Sequence, residues 1–101
     1  MPGTSGASGP FRTLPDPSGP PVPQTVDLKF TAARGETVEV CFEPVGITFS
    51  LFDGQSIYLR TPLAAVGSLE VVSWPNGIGV WVPYPGDHLI LDGERNELEP
   101  L

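Results

Sequence analysis

Residues 37–51 read Thr37-Val38-Glu39-Val40-Cys41-Phe42-Glu43-Pro44-Val45-Gly46-Ile47-Thr48-Phe49-Ser50-Leu51. Polar and apolar side chains alternate strictly up to Glu43 and again from Ile47. A period of two is that of a strand with one buried and one solvated face. Folding the two runs across residues 43–46 sets Phe42 opposite Ile47, Val40 opposite Phe49 and Val38 opposite Leu51. Pro44 suits the second position of a type I turn, and Gly46 supplies the left-handed residue that closes it. Every apolar side chain then lies on one face, with Cys41 opposite Thr48 on the other. Turn chemistry and patterning therefore agree on a hairpin.

The same period runs outward in both directions. Val26-Asp27-Leu28-Lys29-Phe30-Thr31 reads as a first strand. A three-residue loop at Asp53-Gly54-Gln55 pairs Leu51 with Ile57 and Phe49 with Leu59, whereas a two-residue loop would turn Ile57 and Leu59 to the polar face. Residues 61–67, with Pro62 and two alanines, read as a connection with room for one helical turn. Further on, Leu69 to Trp74 and Ile78 to Pro83 flank Pro75-Asn76-Gly77. Asn76-Gly77 fits a two-residue type I′ turn, which pairs Ser73 with Val80, Val71 with Val82 and Leu69 with Tyr84. On its other face that register sets Val72 opposite Trp81 and lays the Trp74 indole over Gly79, an aromatic covering a bare glycine. His88 to Asp92 gives one more strand, and residues 93–96 allow a final hairpin toward Leu98. Seven or eight short strands built from hairpins, without a convincing helix, predict a small antiparallel all-β sandwich or barrel.

Composition divides the chain near residue 24. Residues 1–24 hold seven of the 13 prolines and four of the 12 glycines, with three serines and two threonines. Such a stretch has too little apolar surface to offset the entropy of ordering it, so it is expected to be a disordered tail. Pro20-Pro21-Val22-Pro23 within it matches the spacing of a polyproline ligand. Residues 25–101 are expected to form one compact domain.

Twelve acids against five bases give a formal charge of −7. An acidic chain is repelled by nucleic-acid backbones and anionic bilayers, so neither is expected as a partner. The first residues lack the basic and apolar regions of a secretory signal. One cysteine forms no internal disulfide, which suits a reducing compartment and leads to the expectation of a cytoplasmic protein.

The residue inventory argues against catalysis. One histidine and one cysteine fall short of a zinc set, and a blue-copper site needs a second histidine. His88 beside Asp87 reads as a turn pair rather than an acid–base couple. No G-x-S-x-G elbow supports a serine nucleophile, and no glycine-rich loop opens a helix to cradle phosphate. Asp92-Gly93-Glu94 departs from the EF-hand pattern, so the C-terminal acids read as solvated charge. Cys41 has no basic neighbour in sequence and reads as a plain thiol. No cofactor, metal or catalytic residue is expected.

What remains is the face carrying Val72, Trp74 and Trp81, with Tyr84 near its end. Either a second layer covers these side chains, or they form an exposed aromatic contact surface. Tryptophan concentrates binding energy because it removes much apolar surface from water at little entropy cost. Read as a contact surface, Trp74, Trp81, Val72 and Tyr84 make this a non-enzymatic acidic interaction module, with a basic protein as the natural partner. Two other functions fit the same residues. One is a self-associating subunit that uses the N-terminal arm, and the other a carbohydrate-binding module stacking sugars on Trp74 and Trp81.

Overall fold

The computed structural model describes residues 24–101. The expected tail and its proline motif lie outside these residues, apart from Gln24. Eight strands follow in chain order: β1 (Thr25–Thr31), β2 (Thr37–Glu43), β3 (Ile47–Phe52), β4 (Ser56–Pro62), β5 (Glu70–Trp74), β6 (Gly77–Trp81), β7 (Leu89–Leu91) and β8 (Glu97–Pro100). A 3-10 turn, Leu63–Ser68, separates β4 from β5. The chain is a β-sandwich of two four-stranded sheets, ordered β1-β4-β7-β8 and β3-β2-β6-β5.

The β2–β3 hairpin has the expected register, with Phe42 opposite Ile47, Val40 opposite Phe49 and Cys41 opposite Thr48. Gly46 has φ of 86°, and its N–H donates to Phe42 O at 2.8 Å. One pairing is parallel: β2 runs beside β6, with Cys41 opposite Gly79 and Glu43 opposite Trp81.

The expected β3–β4 hairpin does not form. Ile57 and Leu59 are buried as expected, but their partners are Phe30 and Leu28 of β1 in the other sheet. Asp53 and Gly54 both have positive φ, 41° and 79°. That tight turn carries the chain across the sandwich instead of back along β3. The corner is held by the equivalent crossing between β1 and β2: Ala32 N–H donates to Gln55 O, Gly54 N–H to Ala32 O and Asp53 N–H to Glu36 O, all within 3.0 Å. The Asp53 carboxylate also accepts from Gly35 N–H at 2.8 Å. Because β3 and β4 are not neighbours, pairing parity places no demand on the loop, and each strand turns its apolar face to the core independently.

The core lies between the sheets. Phe42, Leu59, Ile90 and Val80 are fully buried there. Phe30 and Phe49, from opposite layers, each meet the Phe42 ring edge-on, with centroids 6.0 and 6.2 Å away. Each such side chain contributes about 1.5–3 kcal/mol on leaving water. The outer side of the first sheet carries its own polar network. Arg60 grips Asp27 through two hydrogen bonds of 2.8 and 2.9 Å, while Arg95 reaches Asp27 at 3.5 Å and stacks over Tyr58. The Arg60 guanidinium holds the Asp27 carboxyl below its ordinary range.

Candidate functional site

The β5–β6 hairpin differs from expectation by two residues. Trp74 pairs with Gly77, Val72 with Gly79, Val71 with Val80 and Glu70 with Trp81. The loop is thus Pro75-Asn76. Proline fixes φ near −65°, which excludes it from a strand pair closing a type I′ turn and suits it to the first central turn position. Neither Asn76 nor Gly77 has positive φ. A shift of two preserves parity, so each side chain stays on the face assigned from the sequence. What changes is who faces whom.

Gly77 serves packing rather than turn geometry. A methyl group there would fall 2.6 Å from Glu39 O and 2.8 Å from Trp74 Nε1. At Gly79 it would fall 3.2 Å from Trp74 Cζ3 and 4.0 Å from Trp81 Nε1. The Trp74 indole therefore lies along β6 and roofs two successive glycines on one face, both of them buried. The outer surface of that indole stays open: Trp74 is 42% exposed, Trp81 44% and Val72 44%. Among the described residues no second layer covers this face.

Reading the pairs across the sheet gives its pattern. One row runs Glu70, Trp81, Glu43; the next Val72, Gly79, Cys41, Thr48; the third Trp74, Gly77, Glu39, Ser50. Trp81 thus sits between two carboxylates on neighbouring strands, and Glu39 lies two rows away in the row of Trp74. None of β2, β3, β5 and β6 contains a lysine or arginine. Among the described residues the bases lie elsewhere: Lys29 on β1, Arg60 on β4, and Arg34 and Arg95 in turns. The second sheet therefore presents an apolar strip whose only charged side chains are acidic.

The structure brings Trp74, Trp81 and Val72 together on this face. Tyr84 stands apart from them, exposed in the connection after β6, and makes no ring contact with either indole. The three glutamates were not singled out from the sequence. The alternation of β2 placed Glu39 and Glu43 on a polar face, yet only the parallel β2–β6 pairing sets them beside tryptophan.

His88 is buried rather than solvated. Its Nε2 donates to Pro83 O at 2.6 Å, and Nδ1 lies 2.9 Å from the Thr61 hydroxyl, itself fully buried. Both ring nitrogens are engaged in pinning the 82–88 connection to β4. Asp92 is likewise committed: its carboxylate accepts from the N–H groups of Glu94 and Asn96 at 2.8 Å and from the Asn96 amide at 3.1 Å. These bonds hold its pKa below the ordinary value. A shallow cleft of about 470 Å³ runs between β3 and this loop, but its Asp92 is spent on the turn.

No protein-family model matches the chain, and neither does any curated protein or solved structure. Among the described residues no helix is long and apolar enough to cross a membrane.

Proposed function

We propose that this chain is a non-enzymatic interaction domain that recognises a basic protein through the outer face of its second sheet. The row Glu70–Trp81–Glu43 carries the reading. An exposed indole is the best aromatic surface for a lysine or arginine side chain, and a carboxylate on either side adds charge-assisted hydrogen bonds. The absence of any base on the four strands of that sheet removes competition for those carboxylates. Acidic charge would also speed the approach of a basic partner, an effect that salt weakens.

Affinity capture from a native extract tests this, with the intact chain and a Trp81→Ala variant as baits at low and high salt. A stoichiometric basic protein, lost at high salt and on the variant, is the expected result. Capture that is indifferent to both salt and Trp81 overturns the reading.

The exposure of both indoles on one sheet face also favours a sugar-stacking platform. Replacing Glu43 and Glu70 by glutamine separates the two functions, because stacking on a neutral sugar keeps its strength while cation recognition loses it.

A further inference from the structure

We infer that the partner binds by strand addition, as an extended cationic segment pairing antiparallel with the free edge of β5. The inference rests on the function proposed above and specifies its mode. β5 is an edge strand whose five residues are all exposed. In an antiparallel pair alternate residues exchange backbone bonds, so about half of its N–H and C=O groups have no partner in the sheet.

Edge strands normally carry a guard: a lysine, a proline, a bulge or a charge turned inward. The β8 edge has one, with Glu97, Glu99 and Pro100 on the strand and an irregular register against β7. The β1 edge carries Asp27 and Lys29. β3 is free of charge, but most of its apolar side chains turn inward, leaving little to recruit a basic segment. β5 carries one charge, Glu70 on its outer face, but no lysine, proline, bulge or inward charge, and its register against β6 is unbroken. It is apolar on both sides: Val71, on the core-facing side opposite buried Val80, is 56% exposed, and Val72 and Trp74 project from the outer face. The facing sheet therefore leaves β5 uncovered.

Charge decides the occupant. An added strand extends each row by one place, which puts one of its residues directly opposite Glu70 and next in line to Trp81 and Glu43. Opposite charges in that relation attract and like charges repel. A second copy of this chain, with net charge −7 and no base on β5, offers Glu70 no cation, whereas a segment with arginine or lysine there is matched. The other outward residues of the segment would face Val72 and Trp74, which favours β-branched or aromatic side chains. The recognition pattern, read from the segment's N-terminus, is apolar, any, apolar, any, basic.

The probe is an acetylated and amidated peptide, Lys-Gly-Ile-Thr-Val-Thr-Arg-Gly, displayed as a library randomised at the Ile, Val and Arg positions. Selection on the intact chain is expected to return the apolar–apolar–basic pattern. The selected peptide should slow amide exchange in β5, and N-methylation of alternate peptide residues should weaken binding about tenfold or more through loss of ladder hydrogen bonds. On the protein side, Val71→Lys introduces the missing inward charge without touching the tryptophan face, and should abolish binding. Val71→Thr, a strand-favouring residue, should retain it.

Basic peptides that bind with β5 exchange unchanged, and that tolerate N-methylation, overturn strand addition and leave the interaction domain standing. Selection that enriches nothing, or shows no preference for a base at the Arg position, removes both. Protection of β5 that appears without peptide and grows with protein concentration assigns the edge to a second copy and overturns the cationic segment.

Discussion

Trp74 lies flat over Gly77, its pair across the β5–β6 hairpin, and reaches on to Gly79. The contact gives the two tryptophans different jobs although they are nearly equally exposed. Trp74 shields the backbone of two glycines, while Trp81 stands between carboxylates and only its Nε1 approaches Gly79.

Trp74→Ala should therefore cost more stability than Trp81→Ala, by about 1 kcal/mol or more. Judged on exposed area alone, the two would cost the same. Urea denaturation of both variants decides between these outcomes. Gly77→Ala should also destabilise, by about 1–3 kcal/mol, because the new methyl meets Glu39 backbone rather than a movable side chain.

Phe42 joins both layers, meeting Phe30 from one and Phe49 from the other. Phe42→Ala should cost about 3–5 kcal/mol, the range for emptying a fully buried aromatic position. In a domain of 78 described residues that is a large part of the total stability. The variant should be largely unfolded at 37 °C by circular dichroism.

His88→Ala should destabilise by about 2–4 kcal/mol, since it strands the buried Thr61 hydroxyl and Pro83 carbonyl and opens a cavity. Thermal melting of His88→Ala measures this. Capture by the folded variant at low temperature should persist, because the imidazole lies in the interior and not on the tryptophan face.

Asp27 sets an acid dependence. Its folded-state pKa lies below the ordinary 3.8, chiefly through the Arg60 hydrogen bond. The unfolded chain therefore binds the proton more readily than the folded one. The stabilisation is fully present above the ordinary value and is lost as pH falls through the depressed one. Asp92 adds to the same slope, its carboxyl being lowered by Asn96. Stability should fall from about pH 4 downward, and Asp27→Asn should flatten that fall while lowering stability at neutral pH. Denaturation midpoints between about pH 2 and 7 check both signs.

Much of the sandwich was legible because its information is local. The β2–β3 register follows from parity and a four-residue closing loop, both contained in residues 37–51. The face of every β5 and β6 side chain was also readable, since parity survives a slip of two. Two features resisted. The Asp53-Gly54 turn has the chemistry of a hairpin, and only hydrogen bonds to residues 32–36 make it a corner between sheets. The parallel β2–β6 pairing joins strands more than thirty residues apart in sequence and leaves no short-range signature, so Glu43 could not be set beside Trp81. Half of the candidate site was thus visible as tryptophan, and its acidic half was visible only as a polar strand face.

Glu43→Gln combined with Glu70→Gln keeps the shape of the tryptophan row and removes its charge. The most direct test is the salt dependence of binding of a selected basic peptide to the intact chain and to this double variant. Tryptophan fluorescence reads the titration. If the row recognises a cation, the variant should bind about tenfold or more weakly at low salt, and its affinity should change less steeply with salt. Equal affinity and an equal salt slope in the two proteins would contradict recognition by Glu70, Trp81 and Glu43.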